Sequence, residues 1–152
     1  MAATTLRGRA IALLARRDYA RSEIERRLLA RGGARAEIRA LLDGLAAEGL
    51  LSDARYARAV VARSAGSVSR RRIVETLKAA GVSHDDIDAA LAETDIDDEA
   101  ALAALWRRRF GRAPADERDK ARQVRFLQSR GFGLASILKL LREQGVDHDR
   151  SG

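Results

Sequence analysis

The apolar positions of the chain recur in three passages that end alike. Leu28-Leu29-Ala30-Arg31-Gly32, Leu77-Lys78-Ala79-Ala80-Gly81 and Leu127-Gln128-Ser129-Arg130-Gly131 each set Leu four residues before Gly. This is the pattern of a helix whose end runs into a residue at positive φ. Six residues beyond each Gly stands Ile (Ile38, Ile87, Ile137), and one turn later comes Leu: Leu41 and Leu42, Leu91, Leu140 and Leu141. A helix, a Gly stop and a second helix therefore recur, with the glycines 49 and 50 residues apart. A further helix precedes each pair, beginning near Thr5, Asp53 and Asp98 and carrying the adjacent apolar pairs Leu13-Leu14, Val60-Val61 and Leu105-Trp106.

The repeat predicts the fold: all-α, an elongated array of three tandem three-helix repeats. The repeats are expected at 1–51, 52–96 and 97–145, followed by a short polar tail over 146–152 that should fray. Ser22 with Glu25 and Ser83 with Asp86 read as capping boxes, and Pro114 marks a boundary before another helix. Asp97, Asp98 and Glu99 place negative charge where a helix dipole favours it. The loop from Phe110 to Ala115 is longer than its counterpart in the first repeat and is expected to act as a local hinge.

Composition sharpens this picture. Apolar types make up 46% of the 152 residues, but 30 of them are Ala, and aromatics are only 4%. Such a chain can fill several thin helical cores better than one deep one. With few β-branched residues and a single Pro, it favours helices throughout. The absence of Cys excludes disulfides, thiolate metal sites and Cys nucleophiles. No apolar run approaches a membrane span. Arg7 and Arg9 interrupt the N-terminal segment, so no signal peptide is read and a cytoplasmic, membrane-free protein is expected.

The formal charge is +7 and the pI is about 10.8, an electrostatic footprint for polyanions. The basic residues are 26 Arg and three Lys, and Arg suits forked pairing with phosphate. Catalytic candidates are few. His84 stands among Asp85, Asp86 and Asp88, where the carboxylates read as a helix start rather than a metal site, and His148 has no evident partner. There is no phosphate-cradling glycine loop, and the ETDIDDE stretch lacks the spacing of a calcium loop. The residues assemble no nucleophile, base and orienting group, so binding without a cofactor or metal is expected.

The informative charges lie at corresponding places. Arg16, Arg63 and Arg108 each fall three residues after the first member of an apolar pair, and Arg17 matches Arg109. Two triplets stand out, Arg70-Arg71-Arg72 at a helix start and Arg107-Arg108-Arg109 near a helix end. The dipole accounts for the second triplet but not for the first. The middle repeat is neutral but polarised, with its bases first and its acids last, which suits a mixed surface such as a protein–DNA filament.

Three segments are similar to a known family. Gly49-Leu50-Leu51-Ser52-Asp53-Ala54-Arg55-Tyr56-Ala57 resembles the "G-L/Y-L-x-D-x-R-Y-A" segment of the RecX family. Gly66 to Val82 (GSVSRRRIVETLKAAGV) resembles its "G…RI…L…GI" stretch, and Leu14 to Ile24 its "L-x-x-R-x-Y-S-x-x-E-L". Ala20 stands where that pattern has Ser, and Gly44 is expected to interrupt the third helix. The resemblance covers about residues 8–145. It implies tandem three-helix repeats and a non-enzymatic regulator that lodges along the RecA filament on single-stranded DNA. It also implies inhibition of ATP hydrolysis and strand exchange. Arg70, Arg71, Arg72, Arg63, Arg107 and Arg108 would contact DNA phosphate or acidic RecA surface, with Arg16 and Arg17 extending the strip. Tyr56 and Asp53 are read as structural, Asp53 as a cap. The protein is expected to act as a monomer. The alternatives are a helical DNA-binding module acting as a transcriptional regulator on duplex DNA, and a protein scaffold whose charge is incidental.

Overall fold

The computed structural model describes residues 5–150, the side chains of 146–150 excepted. Among the described residues the chain is helical throughout its regular structure. The elements are α1 Leu6–Leu14, α2 Arg21–Leu29, α3 Arg35–Ala47, α4 Asp53–Ser64, α5 Arg70–Ala79, α6 His84–Ala92, α7 Asp98–Arg109, α8 Glu117–Ser129 and α9 Leu134–Arg150. They fall in three sequential triplets, as the periodicity predicts. The backbone of α9 runs on through Arg150, so the segment from 146 continues a helix; Ser151 and Gly152 lie outside the described residues, as does the side chain of His148.

The local signals explain most boundaries. Gly32, Gly81 and Gly131, which close the second helix of each triplet, have φ of 88°, 78° and 92°. The turn reverses through a bond from the residue after the glycine to the Leu four before it: Val82 N–H to Leu77 O at 3.1 Å, and Phe132 N–H to Leu127 O at 3.3 Å. Leu77, Val82, Leu127 and Phe132 are all buried, the apolar contact that accompanies this stop. Thr5, Ser83 and Asp97 cap their helices by accepting the N–H groups of Gly8, Asp86 and Ala100.

Three local expectations are corrected. Ser22 is not a cap: α2 starts after Ala20, which makes no side-chain cap bond, and the Ser22 hydroxyl donates instead to the Ala80 carbonyl. Asp53 does not cap its own helix, which Ser52 caps through Arg55 N–H at 3.1 Å; its carboxylate caps α2 instead. Gly44 does not interrupt α3, which runs unbroken from Arg35 to Ala47.

The residues cluster into two compact units, one of Met1–Ala62 with Thr76–Thr94, the other of Arg63–Glu75 with Asp95–Gly152. In the first, Ala10, Tyr19, Ile24, Leu28, Ile38, Leu42, Leu45 and Leu51 form the core of the first triplet. Ile24, Ile38, Leu42 and Leu45 are wholly excluded from solvent, so truncating any of them to Ala would cost about 2–5 kcal/mol. In the second unit, Leu102, Leu105, Trp106, Leu127, Phe132, Ile137, Leu140 and Leu141 close the third triplet. A buried polar pair sits in that core: Trp106 Nε1 donates to Gln123 Oε1 at 2.9 Å. Each core follows the Leu, Ile and Leu positions that define the repeat, which is why the repeat was visible as a pattern.

Candidate polyanion and partner surface

The arginines divide into those the fold employs and those it leaves open. In the first unit, Arg55 Nε donates to Asp18 Oδ1 at 2.7 Å, and its other nitrogens reach the carbonyls of Gly49 and Leu50 at 3.1 and 3.2 Å. Tyr56, 5% exposed, donates its hydroxyl to Glu23 Oε1 at 3.0 Å. Asp53 Oδ1 accepts the backbone N–H of Arg21 at 2.8 Å, supplying the cap that Ala20 cannot. The stretch from Gly49 to Ala57 is therefore a joint between the first two triplets, and its conspicuous polar residues are spent on that joint.

Arg17 is also engaged. Its guanidinium lies 3.9 Å over the Tyr19 ring, and its Nη2 is 3.7 Å from the buried Oε2 of Glu23. Arg16 makes no such contact among the described residues. It lines a cleft of about 570 Å³ together with Arg9, Arg27 and Arg31, over a floor that includes Leu13 and Leu28. Arg9, Arg27 and Arg31 were not singled out from the sequence. Their spacing carried the signal: Arg9 and Arg16 are seven residues apart, and Arg27 and Arg31 four, each pair on one helical face.

In the second unit, the Arg70 triplet sits at a junction of helix ends. Arg70 N–H is accepted by Asp98 Oδ1 at 2.9 Å, Ser69 N–H by Arg130 O at 3.0 Å, and Arg72 N–H by Ser69 Oγ at 3.1 Å. Arg71 Nη2 reaches the Gly131 carbonyl at 3.4 Å, at the C-terminal end of α8, where a cation is favoured. That explains a cluster of positive charge at the N-terminus of α5: the unfavourable end of one dipole abuts the favourable end of another, with the Asp98 carboxylate between. Arg71 and Arg72 also stand 3.8 and 3.9 Å from Glu75, at exposed positions where such pairs contribute little. The Arg70 side chain is exposed, with no partner among the described residues.

At the far end of α7, Arg108 Nη2 donates to the Gly66 carbonyl at 3.1 Å, and Arg109 lies 5.1 Å from the Phe126 ring centroid. Arg107 and Arg63 are exposed and make no side-chain hydrogen bond or ion pair among the described residues. Because Asp98 begins α7 and Arg107 lies nine residues on, the two triplets are spaced by about 14 Å of helix. They form two patches on one unit rather than one cluster, and Arg16 and Arg17 belong to the other unit.

Little else carries chemistry. His84 Nε2 faces Asp88 Oδ2 at 3.4 Å on the exposed side of α6, and no group of three metal-ligating side chains occurs among the described residues. The Asp119 carboxyl is held below the ordinary carboxylate range, first by the Ala115 N–H and then by the Arg122 guanidinium, and both bonds serve the start of α8. No helix among the described residues is long and apolar enough to cross a membrane.

Comparison with known proteins bears on this arrangement. Residues 52–91 match the model of the second three-helix domain of RecX, and residues 97–141 that of the third. The regulatory protein RecX of Leptothrix cholodnii is 43% identical over 145 residues, covering 95% of this chain and 92% of its own. That of Pseudomonas fluorescens is 43% identical over 144 residues, covering 93% of each. Among solved structures, RecX from Lactobacillus salivarius superposes with a TM-score of 0.63 at 19% identity, over 93% of this chain and 95% of its own, a likeness of fold.

Proposed function

Because this chain belongs to the RecX family, we propose that it is a non-enzymatic negative regulator of the RecA recombinase. It binds RecA filaments on single-stranded DNA in the cytoplasm, as a monomer, and inhibits their ATPase and strand exchange. The observation that carries this reading is the likeness to proteins named regulatory protein RecX along nearly the whole chain. The site supports it in kind. Arg16 in one unit, and Arg63, Arg70 and Arg107 in the other, are exposed and make no ion pair among the described residues. A strand of phosphates, or an acidic protein face, is the complement of such a surface.

A helical module reading duplex sequence fits the surface less well. Base-edge recognition favours Asn and Gln beside Arg. The chain contains no Asn, and of its three Gln, Gln123 is buried.

The deciding experiment is RecA ATPase on single-stranded DNA, with RecA from the same organism, titrated with this protein at two salt concentrations. Inhibition at amounts well below one per RecA is expected. Full ATPase activity at equimolar, folded protein would end the proposal and turn attention to duplex binding.

A further inference from the structure

The first repeat, which neither matched domain model spans, contains the densest open charge in its unit. Arg9 and Arg16 from α1 and its end, and Arg27 and Arg31 from α2 and its end, line one cleft with Ala12, Leu13, Leu28 and Ala30. None of the eight lining residues is acidic. Five carboxylates of this unit are paired with other arginines. Glu48 pairs with Arg7, Glu23 with Arg17, Asp43 with Arg21, Asp18 with Arg55 and Glu93 with Arg58. Ion pairing thus engages five of the unit's arginines, and of the seven it leaves, Arg9, Arg16, Arg27 and Arg31 converge on this cleft, whereas Arg26, Arg35 and Arg39 do not line it. Helix dipoles favour Arg16, Arg27 and Arg31, which stand near C-termini, but not Arg9 in the body of α1.

The end of α2 is open where its counterparts are covered. A Cβ placed on Gly81 would meet Ser22 at 3.7 Å, and one on Gly131 would run into Ser69 and Arg72. One on Gly32 meets nothing within 4 Å among the described residues. In the later repeats the end of the second helix is occupied by the start of the preceding repeat's second helix. In the first, the cleft beside that end faces outward.

We infer that this α1–α2 cleft is a binding site for the phosphodiester backbone of single-stranded nucleic acid. Four unneutralised guanidinium groups call for a ligand with charges in series. A nucleic acid strand supplies one at each link whatever its sequence, whereas a peptide would need a run of acidic residues. Guanidinium forks match non-bridging phosphate oxygens, and their planes also accept stacked bases. The inference deepens the nucleic-acid half of the proposed function and does not depend on RecA, so its test omits RecA.

The test is fluorescence anisotropy of a labelled oligo(dT) strand against the full chain and two variants, with NaCl varied from 50 to 200 mM. One variant combines Arg9→Gln, Arg16→Gln and Arg31→Gln; Arg27 is left in place because it also lies over the Tyr19 ring. The other is Arg7→Gln, on the same helix but paired with Glu48. All three substituted arginines are solvent-accessible, and circular dichroism checks that helicity is kept. The triple variant is expected to bind more than about tenfold more weakly at low salt. Its log–log salt slope should be shallower by about 2, the release expected for three single-strand phosphates. Arg7→Gln should track the parent. A triple variant with the parent's slope and affinity overturns the inference and leaves the proposed function standing. So does competition in which polyglutamate displaces the parent more effectively than oligo(dT) at equal charge. No binding of oligo(dT) by the parent overturns both the inference and the direct DNA contact in the proposed function.

Discussion

The Asp98 carboxylate accepts the backbone N–H of Arg70 at 2.9 Å, and Asp53 does the same for Arg21 at 2.8 Å. In both cases the first residue of one triplet caps the second helix of the triplet before it. The cap of α2 or α5 is therefore complete only when the next triplet has begun to fold, which couples the folding of neighbouring triplets. In the third triplet the second helix, α8, is capped from within by Asp116, which accepts the Asp119 N–H at 2.7 Å.

Asp53→Ala and Asp98→Ala should each destabilise the protein by about 1 kcal/mol, the usual worth of a lost cap. The Asn variants retain an acceptor oxygen and should recover most of it. Urea denaturation followed by circular dichroism measures both. If the Ala variants unfolded at the parent's midpoint, the carboxylates would be ornaments of the surface and the coupling would lie in apolar contact alone.

The three repeated glycines offer an internal control. Gly32 and Gly131 share nearly the same backbone, with φ of 88° and 92°, but only Gly131 is in close contact with another part of the chain. Substitution by Ala should cost about 1 kcal/mol at Gly32, the penalty for a side chain at positive φ. At Gly131 the cost should be at least twice that, because a Cβ would overlap Ser69 and the Arg72 stem, and Ser69 is buried. Equal losses in denaturant midpoint would show that the junction yields without cost.

The relation between sequence and structure is uneven in an instructive way. The nine helices in three triplets among the described residues were legible because Leu, Ile and Gly recur where each small core needs them, and helical period is a local property. Ser83 was legible as a cap for the same reason, whereas Asp97 was legible only as negative charge at a helix start and the structure makes it the cap. The role of Ser22 was not legible, because its hydroxyl is drawn to the Ala80 carbonyl 58 residues away, and no local rule anticipates such a partner. Asp53 was recognisable as a cap but not as the cap of another helix. The candidate site suffered likewise: the sequence ranks arginines by clustering, while the structure ranks them by what they touch. Arg71, Arg17 and Arg108 stood out in the sequence, yet carbonyls, a carboxylate and a ring engage them. Arg9, Arg27 and Arg31 did not stand out, since they converge only when two helices fold together.

The buried pair in the third triplet makes its own prediction. Gln123 is fully buried, accepts from Trp106 Nε1, and donates to the Arg112 carbonyl at 3.4 Å. Gln123→Ala would leave the indole N–H unsatisfied in an apolar core and open a cavity, at a cost of about 2–4 kcal/mol. Trp106 is the only tryptophan, so its fluorescence reports directly on this core. The variant should show an altered emission maximum under native conditions and a lower unfolding midpoint. A parent-like spectrum with unchanged stability would mean that another acceptor replaces the amide.

The division between engaged and open arginines leads to a sharper expectation for the surface. Arg71 and Arg108 each donate to a backbone carbonyl at a helix end or loop, so replacing either with Ala should lower stability, by less than about 1 kcal/mol because both are exposed. Arg70 and Arg107 make no comparable bond among the described residues, and their Ala variants should unfold at the parent's midpoint. In the RecA ATPase assay the order should reverse. Arg70→Ala with Arg107→Ala should weaken inhibition several-fold at low salt, and by less at higher salt where the contact is already screened, since the charge they present is free for a partner. The two measurements together separate a binding role from a structural one. Loss of stability in the Arg70 and Arg107 variants equal to that of Arg71 and Arg108 would show that the open arginines also hold the fold together, and weaker inhibition would then say nothing about where the partner sits.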